Sequence, residues 1–289
     1  MRGVVRCVLT ASVVATGVAA VPTDRSAAAA YQPAGDAIAS ILPARGQVVG
    51  VAHPIVVTFG TPVHDKRAAE RTVDIASLPA MTGRFEWIEN DVVQWVPDKF
   101  WPAHSTVALS VGGRTTNFAT GPAVVGVANV SDHTFTVTID GVDAARLPAP
   151  HHRPNFGKPG VFPASMGRPE YPTPVGTYTV LAKERDVLMD SSSVGIPVDS
   201  PDGYKLDVEY AVRITRRGIF VHSAPWAVNA LGHENISHGC ISLSTEDAEW
   251  YFNTVNVGDP VIVQENSVEV PRPVAPPENS AEVPRVISR

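Results

Sequence analysis

With 289 residues the chain is long enough for two domains with cores of their own, and a hydrophobic content of 44% is ordinary for a soluble globular protein. The formal charge of -6 excludes a polycationic surface for nucleic acid, so an anionic polymer would have to be recognised by shape. The only cysteines are Cys7 and Cys240, which excludes a disulfide framework if the segment holding Cys7 is removed.

Residues 1–21 carry Arg2 and Arg6, an apolar run from Cys7 to Val21 and the small residues Val18-Ala19-Ala20, the pattern of a secretory signal. A retained signal anchor is the competing reading, against which the run is shorter than the ~20 residues of a spanning helix. Either way the rest of the chain is expected to be exported, and with the leader removed Cys240 is the sole thiol. Residues 22–42, with Ala27 to Ala30 and few large apolar side chains, read as a flexible linker.

From Leu42-Pro43 the texture changes. Val48-Val49, Ile55–Phe59, Val73–Ile75, Arg84–Ile88, Val92–Val96 and Thr106–Val111 are short β-rich runs separated by Gly, Pro, Asn or Asp, and several alternate apolar with polar residues. Residues 43–122 therefore predict a small antiparallel sandwich. His53, His64 and His104 are expected to be surface or turn histidines, and Trp87, Trp95 and Trp101 to be core and edge packing rather than a ligand platform.

Gly121-Pro122 marks the junction to a second domain, residues 123–265. His133–Ile139 alternates as a strand, and Asp140-Gly141 signals a hairpin turn before the next one. Residues 148–174 are rich in Pro and Gly and predict a long shaped loop, after which strands resume at Thr177–Leu181. The stretch from Met189 to Tyr204 has almost no periodicity but embeds Met189, Ile196 and Tyr204, as a lid with anchoring side chains would. Val208–Thr215 alternates, and Gly218–Val221 leads straight to His222. Beyond Cys240, Ser244 and Asp247 form a capping-box pattern opening a helix over 245–255, with Ala248, Tyr251, Phe252 and Val255 inward. Gly258–Val263 is a closing strand, and the tail 266–289, with five prolines from Pro271 to Pro284, is expected to be extended or disordered, or to lie along the surface.

The chemistry concentrates in His222-Ser-Ala-Pro-Trp226 and Ser237-His-Gly-Cys-Ile-Ser242. A thiol is a nucleophile as its thiolate, and an imidazole can take its proton, so Cys240 and His222 suit acyl transfer. No Asp or Glu follows His222 at short range, so a backbone carbonyl such as that of Ser223 is the expected orienter. Gly239 lets the backbone turn tightly, which makes the amides of Gly239 and Cys240 the oxyanion candidates, while His238 tunes the thiolate or holds the loop. A zinc site from His222, His233, His238 and Cys240 competes, but metal-ligand spacings such as C-x-x-C are missing.

These residues carry a resemblance. His222 followed by Ser237-His238-Gly239-Cys240 resembles the signature of the L,D-transpeptidases, the peptidoglycan cross-linking enzymes with a YkuD-type domain. Thr173-Pro-Val-Gly176 resembles the Thr-Pro-x-Gly element of the same domain, Met189-Asp-Ser-Ser, Ser200-Pro-Asp-Gly-Tyr204 and Phe220–Trp226 are similar to the mycobacterial-type members, and residues 43–122 resemble the Ig-like domain that precedes the catalytic domain in them. The resemblance covers residues 43–265 and implies a mostly β protein: an N-terminal Ig-like β-sandwich, then a YkuD-type β-rich catalytic domain with a lid loop and a short helix after the nucleophile. It implies Cys240 as nucleophile and His222 as base, oriented through Ser223, with His238 and Gly239 flanking the nucleophile. Tyr204, Met189, Arg217, Gly218, Trp226 and Ser242 fall on the substrate-binding side. No cofactor or metal is implied. The partners implied are donor and acceptor peptidoglycan stem peptides, joined 3→3 with release of D-alanine, and carbapenems as covalent inhibitors. The site of action implied is the wall side of the plasma membrane.

One departure stands out: the family motif usually has an asparagine two residues after the cysteine, where this chain has Ser242. A serine offers one hydroxyl in place of an amide, which bears on rate or acceptor preference more than on reaction class. Alternative readings are an L,D-carboxypeptidase, in which water resolves the acyl-enzyme, a non-catalytic wall-binding module, and a metal-dependent hydrolase.

Overall fold

Alternating burial builds the first domain in the computed structural model, which describes residues 38–265. The leader, the linker up to residue 37 and the tail from residue 266 lie outside the described residues. One antiparallel sheet runs in the order Ile38–Leu42, Ile55–Phe59, Val92–Pro97, Gly83–Trp87. A second runs Val48–Val49, Arg114–Thr120, Thr106–Val111, Val73–Ala76, with its first pair parallel. Every second side chain turns inward, so Ile55, Val57, Phe59, Val93, Val107, Leu109 and Val111 are buried between the sheets. Trp101 is fully buried against Trp95 and Phe118, and its indole N–H donates to the His53 carbonyl at 2.9 Å. A buried indole needs such a partner.

Three features differ from the sequence reading. Ile38–Leu42, expected to end the linker, is an edge strand paired with Ile55–Phe59. Arg114–Thr120 is a strand despite its polar composition, because its outward residues face solvent. A five-residue helix, Lys66–Glu70, is capped by the Asp65 carboxylate accepting the Ala68 N–H at 2.9 Å.

The second domain has two sheets. The five-stranded one runs Val161–Pro163, Thr134–Ile139, Val124–Asn129, Pro260–Gln264, Gly176–Thr179, with the third and fourth strands parallel. The four-stranded one runs Ala182–Asp190, Lys205–Arg213, Phe220–Ser223, Ile241–Leu243, with the last pair parallel. Phe135, Phe162, Met166, Val212, Val221, Ile241 and Leu243 belong to one core with the helix Thr245–Thr254. That helix begins as expected: the Ser244 hydroxyl accepts the Asp247 N–H at 3.2 Å and donates to the Asp247 carboxylate at 2.7 Å. Ala248, Tyr251 and Val255 are buried and Phe252 packs against the core.

Val124–Asn129 carried no alternation because all six residues are buried, as in a strand covered on both faces. The Asp140-Gly141 turn leads into a short 3-10 turn, Ala144–Arg146, rather than a returning strand. Thr134–Ile139 instead pairs backward with Val124–Asn129, and the loop 148–174 includes the strand Val161–Pro163.

Backbone hydrogen bonds join the domains: Gly50 N–H to Val257 O at 2.9 Å and Ala52 N–H to Gly258 O at 2.7 Å. A Cβ on Gly50 would lie 2.0 Å from the Asp259 nitrogen, so only glycine permits this approach. His53 packs against Gly258 at this junction, half-buried, and donates from Nδ1 to its neighbour's carbonyl at Pro54, 2.6 Å away. It is a packing residue of the junction and not a surface histidine.

Candidate active site

Register creates the site. The parallel pair Phe220–Ser223 and Ile241–Leu243 sets His222 opposite Ser242. Side chains alternate along an extended chain, so Cys240, two residues before Ser242, shares the face of His222. These three residues line one cavity of ≈ 190 Å³ together with Met189, Tyr204, Trp226, Ser237 and His238.

His222 is buried, and its Nδ1 donates to the Ser223 carbonyl at 2.7 Å. A carbonyl can only accept, so the proton is on Nδ1 and Nε2 keeps its lone pair. Burial drives this imidazole down to about 4, only partly countered by the Ser223 carbonyl, so it is neutral at neutral pH. Burial pushes the Cys240 thiol up to about 11, and the Phe220 backbone draws it back only in part. The thiol lies 3.7 Å from the Gly218 carbonyl, to which it donates. The resting centre is thus a thiol beside a neutral imidazole rather than an ion pair.

The nucleophile loop is held from two sides. The Ser237 hydroxyl accepts the Gly239 N–H at 3.0 Å and donates to the Cys240 carbonyl at 2.7 Å. The Thr173 hydroxyl, buried, accepts the Gly167 N–H at 2.9 Å and donates to the Gly239 carbonyl at 2.9 Å. Gly239 has φ +112°, a conformation that disfavours any side chain. The Gly239 amide, expected as an oxyanion donor, is therefore already used by Ser237. The Cys240 amide remains as the donor beside the sulfur.

His238 sits apart from this proton relay. Its ring lies between Tyr171 and Tyr204, with centroids at 4.7 and 4.9 Å, and its Nε2 accepts from Arg168 at 3.0 Å. Burial and then Arg168 hold this imidazole below its ordinary value. Of the two roles read from the sequence, holding the loop is the one its contacts fit. His238 Nε2 is committed to Arg168 and is lost as a zinc ligand, whereas His222 Nε2 keeps its lone pair; no cluster of potential metal ligands occurs among the described residues.

The lid begins at Met189, near the end of the strand Ala182–Asp190, and returns at Tyr204. Asp190 caps the short 3-10 helix Ser191–Val194, and Ser191 closes the base: its N–H donates to the Tyr204 carbonyl and its hydroxyl accepts the Tyr204 N–H, both at 3.0 Å. Met189 and Tyr204 line the catalytic cavity and also a second one of ≈ 340 Å³, to which Arg213, Arg216, Arg217 and Gly218 belong. They form a wall between the two. Arg217 and Gly218 thus face the second cavity, while Trp226, half exposed, stands at the rim of the first with its ring 6.1 Å from that of His222. Ser242 is buried, and its backbone exchanges hydrogen bonds with Ser165 at 2.8 and 3.1 Å. Thr173, Ser237 and Asp202 lie in motifs that carry the resemblance but take no individual role from the sequence, and Arg168 is not singled out at all. Ser237, a hydroxyl two residues before a glycine in a tight loop, also carries a local signal.

Residues 124–263 match the family profile of the L,D-transpeptidase catalytic domain, and residues 8–117 that of a bacterial Ig domain. A probable L,D-transpeptidase 3 of Mycobacterium tuberculosis is 67% identical over 271 residues, covering 92% of this chain and 100% of the relative. The crystal structure of L,D-transpeptidase 3 from Mycobacterium tuberculosis in complex with a faropenem-derived adduct superposes with a TM-score of 0.74 at 72% identity, over 79% of this chain and 98% of that one. The LD transpeptidase LdtMt1 in complex with imipenem superposes with a TM-score of 0.71 at 49% identity, over 79% of this chain and 99% of that one.

Proposed function

The chain belongs to the L,D-transpeptidase family, and from that premise we propose that it is an exported enzyme that forms 3→3 cross-links between peptidoglycan stems through a thioester on Cys240. The observation that carries the reading is the hydrogen bond from His222 Nδ1 to Ser223 O, which leaves Nε2 as a base on the face that holds Cys240.

In the first half-reaction Sγ attacks the carbonyl carbon of the third residue of a tetrapeptide stem while the thiol proton passes to His222 Nε2. The Cys240 N–H stabilises the oxyanion. Collapse breaks the bond to the terminal D-alanine, which leaves as an amine with the proton from His222, and the stem stays as a thioester. In the second half-reaction the side-chain amine of another stem attacks the thioester and gives its proton to Nε2. The thiolate is expelled and recovers that proton. A carbapenem would be opened by the same sulfur, leaving a stable adduct. Export is supported by the leader pattern of residues 1–21, and the wall side of the membrane is where such stems are found.

Intact mass after incubation with imipenem tests the nucleophile: an adduct is expected on the wild type and none on Cys240→Ala. Tetrapeptide stems then separate transfer from hydrolysis. Cross-linked dimer is expected, and tripeptide as the exclusive product would replace this reading with an L,D-carboxypeptidase.

A further inference from the structure

Three segments far apart in the chain meet at one guanidinium. Arg168 Nη2 donates to His238 Nε2 at 3.0 Å and also pairs with the Asp202 carboxylate, while its Nε lies 3.6 Å from Glu170. Its side chain is 23% exposed and lies over the Tyr171 ring at 4.8 Å. His238 belongs to the nucleophile loop, Asp202 to the lid two residues before Tyr204, and Tyr171 adds a hydroxyl bond of 3.4 Å to Asp202.

A guanidinium donates only and keeps its charge throughout the working pH range, so it demands a lone pair on His238 Nε2. Asp202 pulls the other way and only partly offsets burial and Arg168. The neutral imidazole meets that demand for a lone pair with its proton on Nδ1. A proton added to Nε2 would set two donors against each other.

We propose that Arg168 is a positioning residue that clamps the lid to the nucleophile loop and thereby keeps water from the Cys240 thioester, so that it sets the balance between transfer and hydrolysis. The clamp acts through Tyr204. That side chain packs at a tilt against His238 and divides the two cavities, and a lid freed at Asp202 moves it out of the wall. The proposal rests on the acyl-transfer reading above. Protonation of His238 opens the same clamp; the groups that face its ring are Arg168 with Glu170 beside it, Tyr171, Asp202 and Tyr204.

The test uses the full chain with Arg168→Gln and, as a lid-side counterpart that leaves the arginine in place, Asp202→Asn. Hydrogen exchange over residues 191–204 reads the lid, products from tetrapeptide stems read the partition, and imipenem adduct formation reads the nucleophile. Both variants are expected to form the adduct, to exchange lid amides at least about tenfold faster, and to lower the dimer-to-tripeptide ratio about tenfold. The His238 imidazole is expected to titrate at a higher pH in Arg168→Gln than in Asp202→Asn, where the lid is loosened as much but the arginine stays beside the ring. Unchanged lid exchange or an unchanged product ratio in both variants overturns the clamp. Wild-type protein that yields no dimer sinks the cross-linking reading instead, and lid exchange still decides the clamp.

Discussion

The Thr173 hydroxyl reaches across 66 positions of sequence to donate to the Gly239 carbonyl at 2.9 Å. By turning that carbonyl toward Thr173, it fixes the peptide plane that ends at the Cys240 amide. Thr173→Val keeps the shape but strands the Gly239 carbonyl and the Gly167 N–H, a loss of about 1–3 kcal/mol for buried polar groups. The expected result is a lower melting temperature and imipenem acylation slowed about tenfold, with Thr173→Ser close to wild type. Equal rates in all three proteins would remove Thr173 from the site.

His222 and His238 are expected to separate cleanly in acylation. Loss of a general base costs about 10²–10⁴-fold, so His222→Ala should slow imipenem acylation at neutral pH by that range. His238→Ala, which loosens the lid and leaves the relay, should slow it far less. Equal losses measured by stopped-flow or intact mass would overturn the division of roles.

The same centre has a definite pH profile. With His222 at about 4 and Cys240 at about 11, the reactive thiol with neutral imidazole dominates between those limits. The acylation rate of the free enzyme should therefore hold across neutral pH and fall as His222 gains a proton near pH 4. Alkylation of the bare thiol should rise toward pH 11. A sharp loss of acylation with a midpoint between pH 6 and 7 in the His238→Ala variant would contradict a buried neutral base.

Asp259 gives a prediction about stability. Burial lifts its carboxyl to about 7, with the backbone groups of Asn256, Val124 and Val51 drawing it back only in part, and no hydrogen bond of normal length reaches its Oδ1. A folded value above the unfolded one means a contribution that is fully present below about pH 4 and lost as pH rises through about 7. Asp259→Asn cannot ionise. Its melting temperature relative to wild type should climb between pH 4 and pH 7 and level off above that, and a pH-independent difference would count against the raised value.

Ser242 occupies the position opposite His222 in the parallel pair, and its backbone is held by Ser165 whatever the side chain. Ser242→Asn should therefore leave imipenem acylation within about threefold and change the yield of dimer from stems. A large change in acylation with an unchanged dimer yield would place the residue in the first half-reaction.

Much of this was legible from residue order alone, for reasons visible in particular elements. Strands with one wet face, such as Thr106–Val111, announce themselves by alternation. Val124–Asn129, buried on both sides, does not. Cys240 stood out because it is the sole thiol beyond the leader, and His222 because a β-rich run leads straight into it. The use of the Gly239 amide depended on where a neighbouring hydroxyl points, which spacing does not encode. Arg168 lies 70 positions from its imidazole partner, with no periodicity linking them.

The junction at Gly50 has one more consequence. Its backbone bonds run to Val257 and Gly258, immediately ahead of the strand Pro260–Gln264 that sits inside the catalytic sheet. The sandwich is thereby spliced onto the catalytic framework instead of dangling from it. A side chain at residue 50 would therefore disturb the catalytic sheet as well as the sandwich.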